Sequence, residues 1–439
     1  MKRVSWLMLC CAVGLSGVGC ADGGSSDPNQ MGAIKGTLQV RSMMAYTGPT
    51  SDNATIYYQG IKDALRDANA TGGIRGYKFE EKFVDHGYVQ DMWKAEYADW
   101  KMNDPNFAKV VQFFSWGTPD TQDFSADAAT LGMPWISGSY ATTLATPTPQ
   151  KRTVTMPDGK AQEFVADGAP FNFFAGTDYS TQIRIGMEFV KKKSGKKVGF
   201  AYCSTSPFCR EPIPAGKTYA FSIGLALGPD VQPALDATYE QVDVMMKDYF
   251  AANPDVDWLW TGNSITTAAY VAKAAKKYNA KISVIHNMWG MDERMWGACG
   301  ADCVGNNFVV LSFAAFGDLR YTGMEAVVAL NKKWRQMDGE PEDKWANVRY
   351  VQGYVSFYMF RKALEKVIDD KKEPTGRNIK EAYESFRSLE SGGLTSPISF
   401  TPQDHRPTNR TRIYGMNEFG KLRFEDEVSV QLQADWLGW

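Results

Sequence analysis

Four cysteines stand in two close pairs, Cys203 with Cys209 and Cys299 with Cys303. Thiols at such short spacing either oxidise to disulfides or bind a metal ion. Neither pair has the Cys-x-x-Cys spacing of a zinc site, and the three histidines lie far away in the sequence. In an oxidising compartment this pattern favours two disulfides over a metal site. We therefore expect neither a metal ion nor a cofactor.

The first thirty residues indicate the compartment. Lys2 and Arg3 precede an apolar run over 4–18, and small residues precede Cys20, as in a secretory signal peptide. The run is shorter than the roughly 20 residues that a membrane helix needs. The segment also resembles a bacterial lipobox, with Gly17 where leucine is usual, which implies that Cys20 is lipidated. The alternative is an ordinary cleaved signal, and both interpretations predict export.

The bulk composition and the remaining motifs exclude several classes of function. The net charge is -2, and acidic and basic residues are interspersed, without the basic patch that nucleic-acid binding requires. No G-x-S-x-G stands at a strand-to-helix turn, and H-E-x-x-H is absent from the sequence. We therefore expect a protein that is not an enzyme and does not bind nucleic acid.

Strand-like and helix-like segments alternate along the chain from Lys35 onward. The predicted helices cover 53–70, 88–100, 120–131, 181–193, 239–252, 266–278 and most of 324–370. The predicted strands cover 37–40, 78–84, 110–114, 134–137, 198–202, 258–260, 282–285, 411–414 and 422–424. A polar, proline-containing stretch at 146–167 interrupts the rhythm and predicts a surface insertion. Strands that alternate with helices predict parallel sheets flanked by helices.

Several motifs together resemble a known family. They are Tyr46-Thr47-Gly48-Pro49 after the first strand, and the segments at 60–79, 134–139, 173–178 and 399–405. In order and spacing they are similar to the type I periplasmic solute-binding proteins of ABC transporters, the leucine/isoleucine/valine-binding protein family. The resemblance implies an α/β fold of two Rossmann-like lobes with parallel central sheets, joined by three crossing segments. Such lobes close on a ligand like a hinged trap.

The resemblance also implies a division of the chain. Residues 1–19 are the predicted signal peptide and 20–34 a flexible lipoprotein tether. The first lobe is expected at 35–173 and 306–402, and the second at 174–305 and 403–439.

Three loops of the first lobe are the expected ligand contacts, and the family holds a ligand carboxylate in the second and third through backbone N–H groups and hydroxyls. The implied residues are Tyr46, Trp116, Gly117, Thr118, Ser137, Ser139 and Tyr140. Thr118 precedes a predicted helix, whose free N–H groups and dipole favour an anion. N-capping is the alternative role for these serines and threonines.

In the second lobe the resemblance implies contacts from Tyr202, Asn263, Trp289 and Asp292. Amino-acid binders of the family hold the ligand ammonium with an acid near the last loop, where Asp292 and Glu293 stand. Aromatic residues are common at the predicted loop ends, namely Tyr46, Phe114, Trp116, Tyr140, Phe208, Trp289 and Trp296. Such rings suit a flat or apolar ligand body, or a cation on their faces. Core packing is the alternative role for these rings.

The implied function is that of an extracytoplasmic substrate-binding lipoprotein, located in the periplasm or cell envelope. It would act as a monomer, bind a branched-chain or aromatic amino acid or an aromatic or apolar organic acid, and deliver it to a membrane permease. The alternative function is a ligand-sensing module that acts through a separate receptor.

Overall fold

The computed structural model describes residues 34–439, so the predicted signal peptide, Cys20 and most of the predicted tether lie outside the described part. The elements up to the first crossing between lobes are β1 Gly36–Met44, α1 Ser51–Ala70, β2 Tyr77–Asp85, α2 Gln90–Asn103, β3 Val110–Ser115, α3 Thr118–Leu131, β4 Trp135–Ser137, β5 Gln150–Thr155, β6 Ala161–Ala166 and β7 Asn172–Phe173. The next are α4 Tyr179–Lys192, β8 Lys197–Tyr202, α5 Pro207–Arg210, α6 Ile213–Ser222, β9 Ala226–Val231, α7 Tyr239–Ala252, β10 Trp258–Gly262, α8 Ile265–Tyr278, β11 Ser283–His286, α9 Met295–Cys299 and β12 Asn307–Leu311. The last are α10 Met324–Asp338, α11 Val348–Asp369, α12 Gly376–Glu384, β13 Arg410–Met416 and β14 Leu422–Ser429.

Two sheets form the centres of two lobes. The first has the strand order β2-β1-β3-β4-β7, and all its pairings are parallel. The second has the order β14-β13-β12-β11-β10-β8-β9, which is parallel from β12 to β9 and antiparallel at β13 and β14. Strands β3 and β10 are buried along their whole length, as expected for parallel strands with helices on both faces. The predicted α/β class with parallel sheets is confirmed.

Helices α10, α11 and α12 return to the first lobe. Helix α11 packs along α1, and α12 packs on β3. Two glycines allow the close approach of α1 and α11, because a Cβ on Gly60 would overlap the backbone of Tyr350 and one on Gly353 would overlap that of Tyr57. The helix predicted over 324–370 is thus two helices, α10 and α11, separated by a break at 339–347.

Three segments cross between the lobes, at 174–178, 312–323 and 385–409. They are bonded to one another at Ser312. The Thr177 N–H donates to the Ser312 hydroxyl over 3.1 Å, and the Thr395 hydroxyl donates to the Ser312 carbonyl over 2.9 Å. A side chain at Gly176 would lie 2.6 Å from Ser312 Cβ, so only glycine fits there. All three crossings therefore meet in one tightly packed hinge.

The structure differs from the expected course of the chain in two places. Residues from 306 onward were expected in the first lobe, but β12 pairs in parallel with β11 of the second sheet, so the second crossing begins only after Leu311. The insertion at 146–167 is a β-hairpin, β5 with β6, which packs on the second lobe. The Phe164 and Trp439 rings lie 5.1 Å apart, and Arg152 donates to the Ala434 carbonyl over 3.0 Å.

Both predicted disulfides are present. Cys203 is bonded to Cys209 and Cys299 to Cys303, with Cα–Cα distances of 5.4 and 5.9 Å. Each bond closes a short loop of the second lobe. Within 34–439, no helix combines the length and the apolar character that crossing a bilayer requires.

Candidate ligand-binding site

A cavity of about 290 Å³ lies between the lobes, and every lining residue follows the carboxyl end of a parallel strand. The first lobe contributes Thr50, Asn53, Tyr88, Trp116, Gly117, Thr118 and Gly138. The second contributes Tyr179, Phe208, Ser264 and Trp289. Ligands of open α/β sheets bind at this edge.

The turn between β3 and α3 forms one wall. Gly117 has φ +112°, a left-handed conformation that favours glycine, and a Cβ there would contact the Asp120 carboxylate and lie 3.0 Å from the Tyr88 ring. The backbone can therefore approach a ligand closely. Because Gly117 is the N-cap and has no side chain, the first N–H groups of α3 have no cap from it and favour an anion.

Three hydroxyls converge behind this turn. The Thr118 and Ser139 hydroxyls lie 2.6 Å apart, and both lie within hydrogen-bonding reach of the Tyr179 hydroxyl. Tyr179 comes from the second lobe and accepts a hydrogen bond from the Trp289 indole over 2.7 Å. Burial raises the pKa of Tyr179 to about 12, so its phenol keeps its proton and remains a donor. The cluster joins both lobes and supplies neutral O–H donors.

A second contact between the lobes closes another side of the cavity. The Tyr88 and Ser206 hydroxyls lie 2.8 Å apart, and Ser206 belongs to the loop closed by Cys203 and Cys209. The same loop carries Phe208, which lines the cavity. Tyr88 has φ +62°, an unusual backbone conformation for a bulky residue. The surrounding structure must impose this conformation and thereby fixes where the Tyr88 side chain points. The disulfide thus fixes a loop that forms part of the wall.

The carboxylate of Asp52 forms a third contact between the lobes. Asp52 lies in the first turn of α1 and accepts hydrogen bonds from Ser264 over 2.8 Å and from Thr266 over 3.2 Å. Ser264 is the N-cap residue of α8 in the second lobe. The carboxylate therefore lies at the positive ends of two helices, one from each lobe. This arrangement stabilises the closed form.

Arginine side chains surround the loop after β11. Arg349 of α11, in the first lobe, donates to the Met291 carbonyl over 3.1 Å and lies 3.5 Å from the Asp292 carboxylate. Arg294, in the second lobe, donates to Asp292 over 2.9 Å and to Asn53 of the first lobe over 2.9 Å. These guanidinium groups hold the pKa of Asp292 near 2, below its ordinary value, despite complete burial. Asp292 is therefore an ion-paired carboxylate at the lobe interface.

Asp120 and His86 form a buried pair beneath Gly117. The His86 Nε2 lies 3.5 Å from Asp120 Oδ2, and neither Asp120 oxygen has a hydrogen-bond partner among the described residues. Burial lowers the pKa of His86 to about 4, so its ring is neutral near pH 7. Burial raises the pKa of Asp120 well above its usual range. The pair is therefore not an ion pair at neutral pH, because the His86 ring carries no charge there.

The sequence profile of the periplasmic binding protein family matches residues 43–421. The chain belongs to this family. Its members are extracytoplasmic solute-binding proteins. Among proteins with curated functions, none matches this periplasmic binding protein.

Solved structures share the whole architecture. An ABC transporter substrate-binding protein from Aeropyrum pernix is 28% identical, with a TM-score of 0.78 over 91% of this chain and 97% of the other. A branched-chain amino acid ABC transporter protein from Thermus thermophilus with bound valine is 19% identical, with a TM-score of 0.75 over 91% and 97%. A fatty acid ABC transporter substrate-binding protein from Thermomonospora curvata is 19% identical, with a TM-score of 0.72 over 90% and 93%.

The expected ligand contacts of this periplasmic binding protein fall into three groups. Four line the cavity, namely Trp116, Gly117, Thr118 and Trp289. Four lie directly behind the lining, namely Ser137, Ser139, Tyr140 and Asn263. Three lie elsewhere. Tyr46 packs on Tyr58 and Phe83, Tyr202 donates to Asp230, and Asp292 is ion-paired with arginines. The Thr118 and Ser139 hydroxyls bond each other and do not cap a helix.

Sequence reasoning named Phe208 only within the group of aromatic residues at loop ends, and it assigned no ligand contact to Thr50, Asn53, Tyr88, Ser264 or Tyr179. Ser264 stands in a loop that was expected at the cleft, so a wider choice from that loop would have included it. Tyr179 follows the motif at 173–178 by one residue, which is a usable signal. No local sequence pattern marks Thr50, Asn53 and Tyr88 as ligand contacts, because their positions at the cavity depend on how the two lobes pack together.

Proposed function

We propose that this protein is the substrate-binding component of an ABC importer and carries a small monocarboxylate to a membrane permease. The main support is the cavity itself. It lies between two hinged lobes, and one wall offers the N-terminus of α3 together with the hydroxyls of Thr118, Ser139 and Tyr179. Backbone N–H and O–H donors at a helix N-terminus suit a carboxylate.

The related structures support the same chemistry. The Thermus thermophilus protein holds valine, and the Thermomonospora curvata protein is described as a fatty acid transporter component. Both kinds of molecule carry one carboxylate on an apolar body. The aromatic walls at Trp116, Phe208 and Trp289 suit such a body.

Comparison of each acid with its own amide tests the carboxylate requirement. The mature protein is titrated calorimetrically with small amino acids and organic acids, and with the primary amides of the acids that bind. We expect binding of at least one carboxylate and a loss of about tenfold or more for its amide, because the amide lacks the charge that the helix terminus favours. Binding of no carboxylate, or equal binding of acid and amide, would contradict the proposal.

Import is tested in the source cells. Uptake of the labelled ligand should fall when the gene is deleted and recover when it is restored. Normal uptake together with loss of a cellular response to the ligand would instead support a sensing role.

We also propose that the mature protein is a monomer anchored through lipidated Cys20. The Cys20→Ser variant should move from the membrane fraction to the soluble fraction, while its ligand affinity stays unchanged. An unchanged membrane fraction in that variant would refute the anchor.

A further inference from the structure

We propose that the ligand carries no ammonium group, so that the cavity takes a monocarboxylate whose remaining body is uncharged and apolar. The inference rests on the proposed function and narrows it. It would exclude amino acids as the main ligands, although an acid in the last loop had pointed to them.

Carboxylates near the cavity already have internal partners. Among residues 34–439, none of those that line the cavity is charged. Asp292 Oδ1 accepts two hydrogen bonds from Arg294, each of 2.9 Å, and its Oδ2 faces Arg294 and Arg349. Arg349 comes from the opposite lobe and lies over the Trp289 ring, 5.0 Å from its centroid. The acid that would pair with an ammonium is therefore neutralised by the protein's own arginines.

Three other nearby acids do not face the cavity. Glu293, which is not a lining residue, accepts hydrogen bonds from the backbone N–H groups of Phe316 and Val348 over 3.4 and 3.3 Å. Asp52 is held outside it by the hydroxyls of Ser264 and Thr266. Asp120 lies behind Gly117, where its carboxyl group would contact any Cβ at that position. Neither Asp52 nor Asp120 is among the lining residues.

Several neutral acceptors in the lining already accept hydrogen bonds from protein donors. The Thr50 hydroxyl accepts from the Trp116 indole over 3.0 Å, and the Ser264 hydroxyl accepts from the Asn53 amide over 3.2 Å. The Asn53 carbonyl oxygen accepts from Arg294 and Arg349 over 2.9 and 3.1 Å. Tyr179 accepts from Trp289. A primary ammonium has three donors and needs acceptors for them. In this cavity it would have no carboxylate partner and would share hydroxyl oxygens that already bond to protein groups, which is costly for a buried charge.

The remaining surface is aromatic. Five of the eleven lining residues carry rings, and Trp116 and Trp289 pack edge to face with centroids 4.7 Å apart. Such walls favour hydrocarbon over polar substituents. The cavity thus combines donors at one wall with apolar rings elsewhere, and this pattern matches an apolar acid.

Matched pairs of ligands isolate the ammonium group. The mature protein is titrated calorimetrically with 4-methylpentanoate and L-leucine, and with 3-phenylpropanoate and L-phenylalanine, since the members of each pair differ only in that group. We expect the acid of the better-binding pair to bind roughly 10- to 100-fold more tightly than its amino acid. Equal or tighter binding of the amino acid would overturn this inference and leave the proposed import of monocarboxylates intact. Failure of all monocarboxylates to bind would overturn both.

A third pair tests whether the rings hold a cation. The trimethylammonium acid glycine betaine and its uncharged isostere 3,3-dimethylbutanoate have nearly the same shape. We expect the uncharged acid to bind more tightly. Preference for betaine would show a cation held on the ring faces and would overturn the inference.

One substitution should weaken the preference for the acid. Thr50 is the N-cap residue of α1, where aspartate is well tolerated, so Thr50→Asp adds an acceptor to the lining without disturbing the helix start. The ratio of L-leucine affinity to 4-methylpentanoate affinity should rise by about tenfold. The neutral Thr50→Asn should keep the ratio of the unaltered protein. An unchanged ratio in Thr50→Asp would show that a missing acceptor is not what excludes the ammonium, and would overturn the inference.

Discussion

Arg349 reaches from α11 in the first lobe to Asp292 in the second, with 3.5 Å between its Nε and the Asp292 carboxylate. Both side chains are fully buried. The pair can form only when the lobes are together, so its energy contributes to closure and not to the folding of either lobe. A second buried pair, Arg335 with Asp63 at 2.8 Å, lies wholly within the first lobe.

These two pairs make a matched comparison. We expect Arg349→Gln to lower ligand affinity by about 100-fold, because closure then leaves Asp292 with one guanidinium fewer. Arg335→Gln should instead lower the free energy of unfolding by about 3 kcal/mol with little effect on affinity. Titration calorimetry and urea unfolding measure the two quantities. Equal loss of affinity in both variants would contradict a role of Arg349 in closure.

Asp52 and Ser264 provide a milder test of closure. Asp52→Asn weakens a charge-assisted hydrogen bond between two helix N-termini, so we expect a loss of roughly tenfold in ligand affinity. Ser264→Ala should have a similar effect, and a double-mutant cycle should show that the two losses are not additive. Asp67→Asn is the control, because Asp67 lies on the same helix but pairs with Lys333 within the first lobe. Additive losses would argue against a direct bond.

Thr118 tests the carboxylate site. Thr118→Val keeps the shape of the side chain and removes the hydroxyl that contacts Ser139 and Tyr179, so the affinity for a carboxylate ligand should fall roughly tenfold. Thr130→Val on the same helix is the control, since Thr130 is exposed and its hydroxyl bonds only to the Ala126 carbonyl. Calorimetry of both variants decides the question, and an unchanged affinity for Thr118→Val would exclude this hydroxyl from binding.

The disulfides should differ in their effects. Replacing Cys203 and Cys209 by serine frees the loop that carries Ser206 and Phe208, so we expect weaker ligand binding and a loss of about 2 kcal/mol in stability. Replacing Cys299 and Cys303 should cost stability and leave affinity nearly unchanged, because no residue of the loop that they close lines the cavity. Unimpaired binding by the first variant would contradict the proposed role of its loop.

The raised pKa of Asp120 predicts an unusual pH dependence of the protein's stability. Burial raises its pKa, so between its unfolded pKa of about 3.9 and the higher native value the folded state holds a proton that the unfolded state has lost. This carboxyl group therefore reduces the free energy of unfolding as pH rises through that range. Asp120→Asn should be more stable than the unaltered protein at pH 7, with the difference shrinking toward pH 4. Urea unfolding at both values measures it, and lower stability of the variant at pH 7 would show a charged carboxylate.

Much of this molecule was predictable from local pattern. Helix α1 and strand β3 follow from helical spacing and from a continuous apolar run, and the wall at Trp116 to Thr118 follows from its place between a strand and a helix. The elements α6 and β9 were not predicted, because Ile213–Ser222 and Ala226–Val231 contain prolines and glycines and lack clear periodicity.

The site was predictable only in part, because half of it depends on the meeting of two surfaces far apart in the sequence. Asp292 shows the difficulty. Its position in the last loop suggested a partner for a ligand ammonium, but Arg349, 57 residues later in the chain, comes from the other lobe and takes that place. A pairing between residues so far apart in the chain cannot be predicted from local sequence.

The edge-to-face contact of Trp116 and Trp289 has a practical consequence. One indole belongs to each lobe, and their centroids are 4.7 Å apart only while the lobes are together. Separation of the lobes would expose both rings to water and end their coupling. The protein thus contains a built-in optical reporter, whose emission and near-ultraviolet dichroism follow the movement of the lobes without any added dye.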